Sequence, residues 1–213
     1  MVRYYNDDCT YRLPEKRRTA AWLKRVAHEE GYTLGDVTYD GADQQIIASE
    51  TYSDLVISTT GTATVNGNLK AETPTNSATL DVNGNFAGGT VTNTGSMTLA
   101  GATNSGTGTL GNVTYDGADQ QVIAGTYGNL TINSTGKATA TGDISAATVK
   151  SDAETAITGD LTATGNITSN GDMDVTGNLT ATGDLASTAA LTVGGDATAN
   201  NATLSGDTAI TGD

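Results

Sequence analysis

Aromatic side chains are scarce in this 213-residue chain: one Trp, one Phe and eight Tyr make up 5% of it. Rings supply much of the bulk of a wide globular interior, so their scarcity leaves a narrow core, repeated along an axis, as the better expectation. Cysteine is limited to Cys9, which excludes an intrachain disulfide. Histidine is limited to His28, which excludes both a Ser/His/Asp constellation in the long repeat region and a multi-histidine metal site. No run approaches the ~20 apolar residues of a membrane-spanning helix. The opening Met1-Val2-Arg3-Tyr4-Tyr5-Asn6-Asp7-Asp8 lacks the apolar stretch of a signal peptide, so no route out of the cytoplasm is visible in the sequence.

Positive charge is absent from most of the chain. Arg3, Arg12, Lys16, Arg17, Arg18, Lys24 and Arg25 all lie within residues 1–33, and no Arg follows Arg25. Beyond that segment only Lys70, Lys137 and Lys150 stand against the remaining acids, and the whole chain carries −14 at pH 7. A surface of that sign repels phosphate backbones, which argues against nucleic-acid binding by the long segment.

What is abundant is repetition. Residues 34–48 (Leu34-Gly-Asp-Val-Thr-Tyr-Asp-Gly-Ala-Asp-Gln-Gln-Ile-Ile-Ala48) are nearly duplicated at Leu110 to Ala124, and the match continues through Tyr52/Tyr127, Leu55/Leu130 and Ile57/Ile132. Gly followed by Asp or Asn recurs at a nearly constant interval, at Gly142, Gly159, Gly177, Gly195 and Gly212. Leu161-Thr-Ala-Thr-Gly165 lies one such interval before the identical Leu179-Thr-Ala-Thr-Gly183, and Ile167 falls over Leu185 at the same offset. From Ile157 to Ala199 every odd position is apolar or small, the period of a strand with one buried face.

These patterns predict an all-β, single-chain parallel β-solenoid over residues 34–213, with coils of about 17–18 residues. Each coil is too poor in apolar atoms to stand alone, and stacking at ~4.8 Å completes both its hydrogen bonds and its aliphatic core. Gly-Asp and Gly-Asn are expected at corners that need positive φ. Asp143, Asp160, Asn178, Asp196 and Asp213 are expected to form one ladder. The ending at Gly212-Asp213, where a new coil would begin, suggests a fragment.

The unit Val113-Thr-Tyr-Asp-Gly-Ala-Asp-Gln-Gln-Val-Ile-Ala-Gly-Thr-Tyr-Gly-Asn-Leu-Thr-Ile132 resembles the tandem repeats of bacterial surface and secreted adhesin-like proteins. That resemblance implies a non-enzymatic structural or adhesive role at the cell surface or outside the cell, with an unknown surface ligand or a neighbouring solenoid as partner.

Residues 1–33 are expected to form a separate strand-helix segment. Val2 to Tyr5 reads as a strand; Pro14 suits a helix start; Trp22, Leu23, Val26 and Ala27 make an apolar stripe; Gly31 supplies the stop. With the strand at Gly35 to Tyr39, the whole reads as β-α-β. Arg3-Tyr4-Tyr5-Asn6-Asp7-Asp8-Cys9, Leu13, Lys16-Arg17, Trp22-Leu23-Lys24 and Gly35-Asp36-Val37-Thr38-Tyr39 resemble the amino-terminal end of the YbeY-type rRNA-maturation endoribonucleases of bacteria. That resemblance implies a metal-dependent hydrolase with a His-x3-His-x5-His motif near its carboxyl end. This sequence has only His28 and no later replacement for the motif. The expectations are therefore a non-enzymatic chain, with catalytic, cofactor-binding and metal-binding residues all none, and with residues 1–33 as a nuclease-like fragment or a cap on the solenoid. The alternative is a truncated, catalytically incompetent relative of that nuclease.

Three sharper patterns have bland counterparts. Asp-rich corners suit Ca²⁺, but the glycine-rich nonapeptide of calcium-binding β-rolls is absent, and turn chemistry explains Asp equally. Asp172 and Asp174 form a carboxylate pair, but one on an outward strand face. Thr162/Thr164 over Thr180/Thr182 resemble the threonine arrays of ice-binding solenoids, although Thr is also an ordinary outward strand residue.

Overall fold

Each coil contributes strand residues to three columns, in places as three short strands and elsewhere with two columns joined in one longer strand, as at Thr51–Ile57, Leu69–Asn76, Phe86–Asn93, Leu179–Ser187 and Ala197–Leu204. Every strand pairs in parallel with its counterparts in the neighbouring coils. The computed structural model describes residues 34–46 and 51–212, about nine coils of a parallel β-solenoid, with no helix among them. The strand-helix expectation for residues 1–33, with Cys9 and His28, lies outside the described residues, as does Asp213. The strand expected at the end of that segment is present at Val37–Tyr39, and it belongs to the solenoid: Val37 pairs with Leu55 and Tyr39 with Ile57.

The three strand columns make three faces. The first starts at Val37–Tyr39 and continues through residues 55–57, 74–76, 91–93 and 107–109, then Gly125–Thr126, Ile144–Ala146 and Leu161–Ala163. The second runs from Gln45–Ile46 through Thr62–Val65, Thr79–Val82, Ser96–Leu99, Asn112–Tyr115 and Asn129–Ile132 to Thr148–Ser151 and beyond. The third gathers Gln121–Val122, Ala138–Ala140, Thr155–Ile157, Met173–Val175, Leu191–Val193 and Thr208–Ile210. Coil length departs from the expected value in both directions. The coil that sets Thr114 beside Thr98 is short, and the one that sets Thr64 beside Gln45 is long.

Alternation explains the packing. On the second face the inward column reads Ala63, Leu80, Met97, Val113, Leu130, Val149, Ile167 and Leu185, each beside the next and each nearly inaccessible. Full burial of one such aliphatic side chain contributes roughly 1.5–3 kcal/mol. The odd positions between Ile157 and Ala199 point inward as expected, with the corner glycines, Ala189 and the two last alanines only half-buried. The core is less purely aliphatic than expected. Tyr39, Tyr52, Phe86, Tyr115 and Tyr127, the aromatic residues among those described, are all buried.

Buried polar groups also form ladders, because a side chain repeated in every coil has its own copy as a neighbour. Asn76 Nδ2 donates to Asn93 Oδ1 (2.8 Å), and Asn93 Nδ2 donates to the Leu110 carbonyl (2.6 Å). Ser151, Ser169 and Ser187 stack on the second face, and each hydroxyl donates to the carbonyl two residues on, at Ala153, Gly171 and Ala189. Pairing of this kind removes the penalty of burying polar atoms.

The duplicated unit does not return to the same face. Thr38 leads through Val56, Thr75 and Thr92 to Thr109, four coils along the first face, whereas its duplicate Thr114 lies in the second-face column. Likewise Gln45–Ile46 is in the second face and its duplicate Gln121–Val122 in the third. The two copies are four coils and one face apart.

Candidate functional site

The corners are built by the expected ladder, with a specific geometry. Asp143 Oδ1 accepts the backbone N–H of Asp160 (2.9 Å), Asp160 Oδ1 that of Asn178 (2.7 Å), and Asn178 Oδ1 that of Asp196 (2.9 Å). Asn serves as well as Asp because the bond needs an oxygen acceptor, not a charge. A second corner repeats the device, with Asn166 Oδ1 accepting the N–H of Asp184 at 2.9 Å. Each acceptor also fills the space beside the glycine of the next coil: a Cβ at Gly159, Gly177, Gly195 or Gly212 would collide with the Oδ1 below it. This corrects the expected reason for those glycines. None of them has positive φ; among the described residues the positive-φ glycines are Gly108, Gly111 and Gly125.

The duplicated Tyr-Asp-Gly-Ala-Asp-Gln-Gln segment is a turn, as expected. Asp43 and Asp119, at the same place in the two copies, have φ of 43° and 47°, a left-handed conformation that Asp tolerates. Their Oδ1 atoms accept the N–H of Thr62 (2.9 Å) and Lys137 (3.0 Å) in the next coil. Buried Gln120 ties the second turn down: its Nε2 donates to the carbonyls of Leu99 and Gly101, and its Oε1 accepts from Gly117 N–H and the Ser134 hydroxyl.

Sequence reasoning aligned the tyrosines without pairing them. In the structure Tyr115 and Tyr127 hydroxyls lie 3.0 Å apart, and Tyr39 and Tyr52 hydroxyls 3.3 Å apart. Ile123 N–H donates to Tyr115 (3.1 Å), and Tyr127 donates to the Ile123 carbonyl, so Tyr115 is the donor within its pair. Burial pushes Tyr115 up to about 12 and holds Tyr127 well above the ordinary tyrosine range. These hydroxyls are neutral braces. The signal was the recurrence of a tyrosine pair at matching places in both copies, Tyr39 with Tyr52 and Tyr115 with Tyr127.

A shallow, open depression of about 330 Å³ lies on the first face, lined by Gly125, Thr126, Asp143, Ile144, Ser145, Asp160 and Thr162. It forms where Gly125 has no side chain and the strand is only two residues long. Its carboxylates, Asp143 and Asp160, each hold a backbone N–H of the coil above. Asp172 and Asp174 do not build a shared site: Asp172 caps the N–H of Ala190 (3.0 Å) at a corner, and Asp174 stands between Ala156 and Thr192 on the third face. Among the described residues no group of three or more His, Cys, Asp or Glu is placed to hold a metal, and no helix is long and apolar enough to cross a membrane.

Outward positions of the first face carry a different pattern. Thr162 lies beside Thr180, and Thr180 beside Thr198. In the opposite direction, Ser145 separates Thr162 from Thr126, which continues to Thr109, Thr92 and Thr75.

The fold and these surfaces define a parallel β-solenoid repeat protein. The chain matches no protein-family model, and comparison with curated proteins and with solved structures finds no match.

Proposed function

We propose that this chain is a non-enzymatic structural or adhesive repeat protein that acts at the bacterial cell surface or in the secreted fraction. The observation that carries this reading is the parallel stacking of coil on coil: apolar columns fill the interior, and most outward positions bear short polar side chains. An architecture of this kind extends by adding coils and presents a long repetitive surface. The resemblance of residues 113–132 to adhesin-like repeats supports a surface setting. Acidity argues against a nucleic-acid partner. Of the three lysines in the solenoid, Lys137 pairs with Glu154 (2.8 Å) and Lys150 with Asp152, which leaves little free positive charge to meet a phosphate backbone.

Fractionation of the source cells with an antibody against residues 110–132 tests the proposal. Recovery at the surface or in the medium supports it; recovery confined to the cytosol overturns the surface role. Stoichiometric zinc together with cleavage of an rRNA substrate by the purified chain would overturn the non-enzymatic reading in favour of the nuclease relative.

A further inference from the structure

The outward column of the first face is a hydroxyl array. From Thr75 through Thr92, Thr109 and Thr126, past Ser145 and on to Thr198, every coil contributes a Thr or Ser at the same register position. None of these hydroxyls has a hydrogen-bond partner among the described residues, in contrast to the corner Asp and Asn side chains. Over three consecutive coils the array is two columns wide, with Thr73, Thr90 and Thr107 two residues before Thr75, Thr92 and Thr109. Five of these six threonines stand in register from coil to coil, and all six are exposed. In the flanking column the fold itself orients two hydroxyls: Thr107 donates to the Gly89 carbonyl (3.1 Å), and Thr73 donates to Asp54.

Strand geometry fixes the dimensions of this grid: about 4.8 Å from coil to coil and, at Thr73–Thr75 and Thr90–Thr92, about 6.7 Å between alternate residues along a strand, while Gly108, between Thr107 and Thr109, has a φ of 113°. β-Branching restricts each threonine χ1, and a parallel strand on either side holds the backbone of Thr75, Thr92 and Thr109 in the central column, so little conformational freedom remains there to be lost on binding. The central column has no charged residue from Thr75 to Thr198, so an ionic mineral surface finds no counter-charge there. Nor is there a ring on which a sugar could stack, since the aromatic residues described are buried. What remains is a surface that offers methyl groups and, along its central column, unpaired hydroxyls at a constant repeat. A partner that matches it at many points at once must itself be periodic, uncharged and rich in hydrogen-bonding oxygens. Water frozen into its hexagonal lattice meets that description, with an oxygen repeat along one axis close to the strand separation.

We propose that the first face, centred on Thr73, Thr75, Thr90, Thr92, Thr107 and Thr109, binds ice. The inference stands apart from the cellular location of the protein. Thermal hysteresis and inhibition of ice recrystallisation are measured on the purified full-length chain, on Thr92→Tyr and Thr109→Tyr, and on Thr192→Tyr as a control on the outward side of the third face. Circular dichroism verifies that each variant keeps its β-structure. The expected result is hysteresis and shaped ice crystals for the parent, loss of most of that activity in Thr92→Tyr and Thr109→Tyr, and retention in Thr192→Tyr. Absence of ice activity in the folded parent chain overturns the proposal without reference to any variant. So does equal loss in Thr192→Tyr, or adsorption to microcrystalline cellulose or chitin with no effect on ice.

Discussion

Asn178 and Gly195 are interlocked across two coils: the Asn178 Oδ1 that receives the N–H of Asp196 occupies the space a side chain at Gly195 would need. The glycine and the residue after it are thus one device, an acceptor in one coil and room for it in the next. Gly195→Ala is expected to destabilise the protein by about 1–3 kcal/mol through overpacking. In an Asn178→Gly background most of that penalty should vanish, because the other neighbours of the new methyl group are more distant. A double-mutant cycle by urea denaturation checks this, and additive effects would contradict it.

The glycine period, the odd-numbered alternation and the column of Leu and Ile were all legible in the sequence, because stacking like on like forces a residue to recur at the coil length. The reason for the glycines was not. A backbone needing positive φ and a backbone crowded by a neighbour's side-chain oxygen select the same residue. The number of faces was also hidden, since alternation runs through the corners without a break. The hydroxyl column was visible only where the spacing is regular, at Thr162 and Thr180. Elsewhere the spacing wanders, with a shorter step from Thr109 to Thr126 and a longer one from Thr126 to Ser145.

Removing the Tyr127 hydroxyl tests the buried tyrosine brace. Tyr127→Phe leaves the Ile123 carbonyl without its donor and Tyr115 without its acceptor. The expected cost is about 1–3 kcal/mol, read from the shift of the denaturation midpoint.

The same brace predicts an alkaline transition. The folded-state pKa of Tyr115 is raised to about 12 from its ordinary value near 10, so folding binds that proton more tightly. Its stabilising contribution is complete below about pH 10 and is lost as pH rises toward 12. Absorbance at the tyrosinate band should show Tyr115 and Tyr127 ionising only with loss of β-structure. Free titration near pH 10 of every tyrosine in the folded protein would contradict this.

Asp81 is held above the ordinary carboxylate range, first by partial burial and then by Asp116. A carboxyl with a raised folded pKa favours the folded state most at low pH, and that advantage fades as pH rises through the window between its unfolded and folded values. Asp81→Asn should therefore have a higher Tm than the parent at pH 7, with the difference shrinking toward pH 3. A difference that grows on acidification would show the opposite sign.

Leu130, packed in register between Val113 and Val149, is 1% exposed. Leu130→Ala should cost about 2–5 kcal/mol. Its outward neighbour Thr131→Ala should fall within about 0.5 kcal/mol of the parent. Chemical denaturation of the two variants side by side checks the inward-outward assignment at this coil.

The offset of four coils and one face between the duplicated units has a consequence for how such a rod can grow. A copied stretch of gene does not have to encode a whole number of circuits, because the three faces use interchangeable backbone hydrogen bonding and the chain resumes stacking after any third of a turn. Each non-integral copy then indexes everything downstream by one side. The same turn, Asp40 to Gln44 in one copy and Asp116 to Gln120 in the other, thereby comes to project from two different edges of the shaft. Duplication in this architecture lengthens the molecule and also redistributes its decorations around the circumference.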